Sequence, residues 1–140
     1  MAVSVEQVTT PQGMRAFLDV PRLMYTGDPH WPPPLAWLAR RVLDQQHEPF
    51  WRHADGALFV AWRDGQPVRR ISAQHDRVCA AHWPADTGSF GFFECEDNAA
   101  TAAALFAAAA AWLRARGLRC MRGPLSPSTH GETGFLVDGF

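Results

Sequence analysis

The sequence has 140 residues, of which 47% are hydrophobic and 19% are charged, and its formal net charge is −1 at pH 7. This composition excludes a disordered chain and indicates one globular domain with a substantial core. The basic residues are scattered along the chain and no apolar stretch is long enough to cross a bilayer, so we expect neither a nucleic-acid partner nor a membrane span.

The opening segment predicts a strand followed by a helix. Valines at positions 3, 5 and 8 suit a first strand. Thr9 to Gln12 then matches a capping box with Pro11 in the first turn, so a helix should follow. We expect Pro21 to interrupt this helix, because a proline ring clashes with the turn before it.

A proline-rich connection leads from this helix to a second one. Residues 26–34 contain Asp28-Pro29 and three consecutive prolines, so they should be extended. Apolar residues at helical spacing then predict a helix from position 34 to about position 46. An aromatic-rich loop is expected at residues 47–53.

The middle of the chain predicts a β-hairpin. Two β-like runs, residues 57–63 and 67–74, flank Asp64-Gly65, which is a strong signal for a tight turn between antiparallel strands. Residues 77–87 are polar and contain a proline, so we expect a loop there.

Residues 88–124 predict a strand, a long helix and a second strand. Residues 88–94 are rich in aromatics, and residues 98–116 hold an alanine-rich run with one broad apolar face. Asp97 or Asn98 can cap the start of this helix, and Gly117 can take the left-handed position after its end. Residues 118–122 then form a short strand, and a helical crossover predicts that the two strands are parallel.

The remaining residues predict no closing element before Phe140. We expect a loop at residues 126–131 and the beginning of a further element at residues 134–137. An uncovered sheet edge or face should remain, with Phe135, Leu136, Val137 and Phe140 beside it. We therefore expect the chain to form a two-fold homodimer or to need a missing C-terminal portion.

The lysine and cysteine content limits the kinds of catalytic site and the cellular setting that we expect. All thirteen Lys and Arg positions are arginine, which excludes a lysine Schiff base and a Walker-type phosphate lysine in this segment. The three cysteines, Cys79, Cys95 and Cys120, are odd in number and far apart, which favours free thiols in a reducing, cytoplasmic setting.

Short phrases spread in order over nearly the whole chain carry a family resemblance. They are Leu23-Met24-Tyr25, Asp28-Pro29-His30-Trp31, Pro49-Phe50-Trp51, Pro67 to Ile71, Gly88 to Glu94, Arg122-Gly123-Pro124 and Leu136 to Phe140. Together with the predicted order of elements, they resemble the N-terminal part of a bacterial family of GNAT-type N-acetyltransferase-like proteins. The resemblance implies an α/β fold with a mixed sheet and flanking helices, one half-domain over residues 1–140, incomplete at its C-terminus.

The resemblance also implies a function and a co-substrate. It implies an N-acyltransferase that uses acetyl-CoA or another acyl-CoA, with no metal and an acceptor that the sequence does not identify. In GNAT enzymes the pyrophosphate of CoA sits on free amides at the start of the helix after the central strand. The corresponding residues are Asn98, Ala99, Ala100, Thr101 and Ala102. Here Glu96 and Asp97 precede them, and two carboxylates at that place should oppose a dianionic group.

Glu94 is the preferred candidate for the general base because it lies on the central strand; Glu96 just after it is the other. Ordinary solvated carboxylates remain the simpler interpretation of both residues. A non-catalytic GNAT-like structural or partner-binding module is accordingly the alternative to the enzyme.

Three other constellations have structural explanations that we favour. The first set consists of possible metal ligands whose spacing matches no standard zinc site: His75, Asp76, Cys79 and His82. The second could suggest a nucleophile and a base but lacks a nucleophile elbow: Ser126, Ser128 and His130. The third consists of aromatics beside prolines, which could line an acceptor pocket or only pack a loop: Trp31, Trp37, Phe50 and Trp51.

Overall fold

The computed structural model describes residues 3–138, and within them five strands form one mixed sheet. The strands are β1 Ser4–Gln7, β2 Ala54–Arg63, β3 Gln66–Asp76, β4 Thr87–Glu94 and β5 Cys120–Arg122. They lie in the order β1-β2-β3-β4-β5, with antiparallel neighbours except for the parallel pair β4 and β5. The predicted α/β class is confirmed, as is the parallel pairing of the strands on either side of the long helix.

Helices and a short ribbon complete the described residues. The α-helices are α1 Pro11–Tyr25, α2 Ala36–Val42, α3 Arg77–Ala80 and α4 Ala99–Arg114, and a 3₁₀ helix spans Pro49–Arg52. The two-stranded ribbon pairs β6 Leu125–Ser126 with β7 Glu132–Thr133. None of the helices within residues 3–138 has the length and apolar character needed to span a membrane.

The sheet is buried on both faces, and the strand alternation decides which helix each residue meets. On β2, the side chains of Ala57, Phe59 and Ala61 belong to the core under α4, whereas Leu58 and Val60 belong to the core under α1. Successive side chains of a strand lie on opposite faces of the sheet, which produces this division. On α4, buried positions four residues apart complete the larger core: Leu105, Ala109 and Leu113.

Local signals placed several boundaries correctly. Asp64 and Gly65 have φ of 52° and 75°, as a two-residue hairpin turn with both central residues left-handed requires. The Asn98 side chain accepts a hydrogen bond from the Thr101 amide at 3.0 Å, and Gly117 follows the end of α4 with φ of 78°. At α1 the cap is one residue later than predicted, since Thr10 and not Thr9 accepts from the Gly13 amide.

The predicted interruption at Pro21 is wrong, because α1 continues through this residue to Tyr25. A proline inside a helix leaves the carbonyl four residues earlier without its usual donor. Here that carbonyl belongs to Phe17, and the Arg70 side chain donates to it at 3.0 Å. A partner from β3 thus replaces the missing helical hydrogen bond.

Three other predicted segments differ from the structure. The second helix ends at Val42 and not near position 46, and the Val42 carbonyl accepts a hydrogen bond from the indole of Trp51 at 2.9 Å. The loop predicted at residues 77–87 begins with α3, whose first amides donate to the Asp76 carboxylate. The element expected to begin at residues 134–137 is neither helix nor strand, whereas the loop expected at residues 126–131 is present between β6 and β7 except for Ser126. Phe140, predicted to join an exposed apolar patch, lies outside the described residues.

Candidate functional site

A β-bulge in β4 determines which face of the sheet carries Glu94. Ser72 on β3 pairs with Gly91, but Arg70 pairs with Glu94, so two residues of β4 oppose one residue of β3. Phe92 takes φ of 47° in this bulge, which is uncommon for a residue other than glycine. Without the extra residue Glu94 would lie on the α4 face, since a shift of one residue exchanges the two faces of a strand. The bulge therefore places Glu94 on the α1 face, opposite Arg70.

Glu94 is held from two sides. The Tyr25 hydroxyl at the end of α1 donates a hydrogen bond to Oε2 of Glu94, and Nη2 of Arg70 lies 3.7 Å from Oε1. Burial and this hydrogen bond to Glu94 raise the pKa of Tyr25, so the phenol remains a donor at neutral pH. The Glu94 side chain is 20% exposed, which leaves it accessible to a ligand.

Arg70 links α1 to the bulge. Besides its hydrogen bond to the Phe17 carbonyl, its guanidinium lies 4.8 Å from the centre of the Phe17 ring and 5.6 Å from that of Phe92. Burial lowers the pKa of Arg70 to about 10, an effect that the charge of Glu94 opposes, so the guanidinium stays charged at neutral pH. Sequence reasoning missed Arg70 and Tyr25. Only the proline at the fourth position after Phe17 could have indicated a carbonyl in need of a donor.

Glu94 and Arg70 line a groove of about 590 Å³. Its walls come from α1, the proline-rich connection, α2 and the ribbon, and they are mostly apolar. Trp31 lines the groove and packs against Tyr25, with ring centres 5.3 Å apart. The volume lies within the range of small-molecule sites, and the combination of apolar walls with a few polar groups is typical of them.

The segment from Leu125 to Pro127 crosses the sheet directly over Gly91. A Cβ atom at Gly91 would lie only 1.8 Å from the Leu125 carbonyl oxygen, so glycine is required at this crossing. The buried amide of Gln74 donates to the carbonyls of Leu125 and Pro127 at 2.8 and 3.0 Å, and Ser126 Oγ accepts from the bulge amide of Phe92 at 2.9 Å. These bonds fix the segment that leads into the ribbon side of the groove.

The structure places the predicted phosphate-binding residues at the start of α4. The side chain and carbonyl of Asn98 accept hydrogen bonds from the amides of Thr101 and Ala102, both at 3.0 Å. The Asn98 amide itself donates to the Glu96 carbonyl. Among residues 3–138, the amides of Ala99 and Ala100 make no hydrogen bond, so these two can donate to a ligand. The predicted role of all five residues stays a prediction.

Glu96, one of the two carboxylates expected to oppose a dianionic group, is paired with two arginines. Its carboxylate lies between Arg63 and Arg69, with Nη2 of Arg63 2.5 Å from Oε1. The hydrogen bond from Arg63 holds the pKa of Glu96 below its ordinary value. The end of β2 and the beginning of β3 thus bring two guanidiniums to one carboxylate, and together they offset the charges of Glu96 and Asp97.

The other constellations have structural partners. Asp76 caps α3 and accepts from His53, and within residues 3–138 no group of three or more His, Cys, Asp or Glu side chains is arranged to hold a metal ion. Ser128 accepts a hydrogen bond from the amide of His130 in the loop, and Ser126 accepts one from the amide of Phe92. Of the four aromatics, Trp31 lines the groove, whereas Phe50 and Trp51 pack against each other and Trp37 is 61% exposed.

No protein-family model matches the chain. The protein named bacterial ceramide synthase from Caulobacter vibrioides is 39% identical over 143 residues, covering 99% of this chain and 36% of that protein. Protein YghO of Escherichia coli is 37% identical over 127 residues, covering 91% of this chain and 32% of that protein. The chain thus spans about a third of the length of these curated relatives.

The fold is similar to that of a solved structure from Desulfovibrio desulfuricans, described as a "putative acetyltransferase of the GNAT family". The TM-score is 0.56 and the sequence identity 19%, with 86% of this chain and 71% of that chain covered. At such low identity the likeness bears on the fold alone. It confirms the predicted GNAT-like fold, a mixed sheet with flanking helices.

Proposed function

We propose, on the basis of this GNAT-like fold, that the chain takes part in the transfer of an acyl group from an acyl-CoA to an amine. The amine nitrogen would attack the thioester carbonyl, so that a C–N bond forms and the C–S bond breaks. The amine proton would go to a base, and the CoA sulfur would leave and take up a proton. One observation carries this proposal. The bulge in β4 places Glu94 in a groove that is large enough for a small-molecule ligand.

Glu94 is the base in this proposal. Its carboxylate is held in place, since Tyr25 donates to one carboxylate oxygen and Arg70 lies beside the other. A base that cannot rotate freely is oriented for proton transfer before the substrate binds. Glu96 is less suitable, because two arginines lie 2.5 Å from its oxygens, whereas Arg70 lies 3.7 Å from Glu94.

The α4 N-terminus supplies the proposed site for the CoA phosphates. The amides of Ala99 and Ala100 are available there, and the start of a helix favours an anion. Arg63 and Arg69 offset the charges of Glu96 and Asp97, so the repulsion of an anion expected from these two carboxylates is reduced. Acyl-CoA is thus the proposed co-substrate. Three free cysteines support a cytoplasmic setting for the reaction.

The name of the Caulobacter relative supports an amide product. Ceramide is by definition an amide formed by a long-chain amine and a fatty acid. We propose that this chain belongs to machinery that makes an amide of that general kind. The chain spans only about a third of that relative.

Calorimetric titration with acetyl-CoA and with a longer acyl-CoA tests co-substrate binding. Saturable binding in the micromolar range is expected. Ala99→Pro should weaken it several-fold, because proline is tolerated at the first helical position but removes one amide donor. Ala99→Ser keeps that donor and serves as the matched control. Absence of binding at millimolar ligand would refute the proposal.

Glu94→Gln tests the chemistry separately. Mass spectrometry of the amide product formed from an acyl-CoA and an amine should show a loss of about 100-fold or more, as expected for removal of a general base. Binding of acyl-CoA should be unchanged. Equal activity of the variant would exclude Glu94 as the base.

A non-catalytic module is the second candidate. The observation in its favour is that Ser126 and Leu125 already cover β4 at Phe92 and Gly91, close to where the pantetheine of a GNAT co-substrate would pair with the strand. Such a module would act by binding a second copy or a C-terminal GNAT-like portion, and Leu136 and Val137, 67% and 88% exposed, would contribute to that contact. Light scattering over a concentration series distinguishes a dimer from a stable monomer.

A further inference from the structure

An arginine-rimmed cleft lies between α1 and α2. Its volume is about 260 Å³, and Trp31 and two prolines of the connection line it together with residues of both helices. Three guanidiniums, those of Arg15, Arg22 and Arg40, line the cleft beside the single carboxylate of Asp19. The charge at the cleft is thus +2, whereas the net charge of the whole chain is −1. An anion that approaches the chain is therefore attracted to this face.

The arginines of the cleft are available to a ligand. Arg22 lies 3.5 Å from Asp19, but both side chains are more than half exposed, so this ion pair is weak. Arg15 and Arg40 form no ion pair or side-chain hydrogen bond within residues 3–138. A guanidinium presents planar N–H donors that fit two oxygens of a phosphate. The volume of the cleft suits such a group, and it is below that of sites for larger ligands.

Beside the cleft, α2 presents a tryptophan and arginines to the solvent. Helix α2 has no buried residue, and its Trp37 is exposed. Arg40 and Arg41 follow Trp37 by three and four residues, so the three side chains share one side of the helix. Tryptophan and arginine are favoured at the boundary of a bilayer, where an indole contacts both acyl chains and headgroups and a guanidinium reaches phosphates.

The fold presents this side of α2 in an ordered form. A helix of seven residues is too short to be stable by itself in water. Here the proline-rich connection precedes it, and prolines have a fixed φ. Less conformational entropy is therefore lost on binding than for a segment that folds only at a surface.

We propose that this face, formed by the arginine-rimmed cleft and the Trp37 side of α2, binds the surface of a membrane that contains anionic lipids. A lipid phosphate occupies the cleft between its three guanidiniums, and the Trp37 ring inserts among the neighbouring headgroups. The contact is peripheral, because it consists of guanidinium–phosphate contacts and one aromatic ring. The inference goes beyond the proposed acyl transfer and does not rest on it, since neither Trp37 nor the three arginines line the groove at Glu94.

Cosedimentation with lipid vesicles tests the proposal. The chain is mixed with vesicles of phosphatidylcholine alone or of phosphatidylcholine and phosphatidylglycerol. It should sediment with the anionic vesicles and stay in solution with the neutral ones, and added salt should weaken the binding several-fold. Equal binding to both kinds of vesicle, or no binding to either at low salt, would overturn the proposal.

Surface variants test the two parts of the face. Arg15→Gln and Arg40→Gln should each weaken binding about fivefold, the contribution of one arginine near an anionic surface. Trp37→Ser should weaken it at low and high salt alike, because salt does not screen the burial of an apolar ring. Arg114→Gln is the matched control, since Arg114 is exposed at the end of α4 on the other face of the sheet. An equal loss in this control would contradict the assignment of the face.

Soluble competitors separate a membrane from other partners. Glycerol phosphate at millimolar concentration should displace the chain only weakly, because it occupies the cleft but offers nothing to Trp37. If it binds as tightly as the anionic vesicles do, the cleft is a site for a small phosphate compound and the membrane proposal fails. If the chain ignores vesicles but self-associates in light scattering, and Arg40→Gln abolishes that association, the face is a protein interface and the proposal likewise fails.

Discussion

Replacing Gly91 by alanine tests how the segment after β5 is fixed to the sheet. The new Cβ would lie 1.8 Å from the Leu125 carbonyl oxygen, and an ordinary contact of at least 3.4 Å requires a displacement of about 1.6 Å. Both atoms belong to rigid backbone, so the segment must leave its place. The two hydrogen bonds from Gln74 and the one from the Phe92 amide would be lost.

The expected cost follows from these three bonds. A buried polar group without a partner costs about 1–3 kcal/mol, and partial hydration of the freed segment reduces the sum to about 3–5 kcal/mol. For a chain of this length that corresponds to a decrease in Tm of roughly 10–15 °C, measured by circular dichroism. Hydrogen exchange followed by mass spectrometry should become faster in residues 124–133 but not in the hairpin of β2 and β3.

Gly13→Ala is the matched control for this substitution. Gly13 lies in the first turn of α1, and the nearest atoms to its added Cβ are at 3.4 Å, an ordinary contact. Alanine is the better helix former there, so a gain of up to about 1 kcal/mol is expected. If Gly91→Ala melts within a few degrees of the parent chain, the close crossing over β4 is refuted.

Three further substitutions probe the contacts around the site. Arg70→Met should lower the free energy of unfolding by about 2–4 kcal/mol in urea denaturation, because it leaves Glu94 without its cation; a loss below about 1 kcal/mol would contradict the linking role of Arg70. The pKa of Glu96 is lowered from 4.5, chiefly by Arg63, so its stabilisation is present above pH 4.5 and lost as the pH falls further. Glu96→Gln should therefore lower Tm at about pH 6, and the difference should shrink as the pH falls below 4.5; a constant difference would contradict the pairing. Asn98→Ala should cost about 1 kcal/mol, seen as a Tm lower by about 3 °C, unless the cap of α4 is replaced by another group.

The sequence by itself determined the elements whose signals are local. Asp64-Gly65 specified a hairpin because few other residue pairs accept two left-handed positions in succession. Asn98 and Gly117 marked the ends of α4 because capping depends on neighbours three or four residues away. The parallel arrangement of β4 and β5 followed from the helix between them.

Only the tertiary structure decided what surrounds Glu94. The sequence placed this residue on a strand, but its face depends on the bulge at Phe92, and no glycine marks that left-handed position. Likewise, Pro21 predicted a break in α1 because its missing hydrogen bond is a local property. The break does not occur, because the replacement donor is Arg70, 53 residues away from Phe17 in the chain. Such a partner is fixed by the packing of α1 on the sheet, which no local pattern encodes.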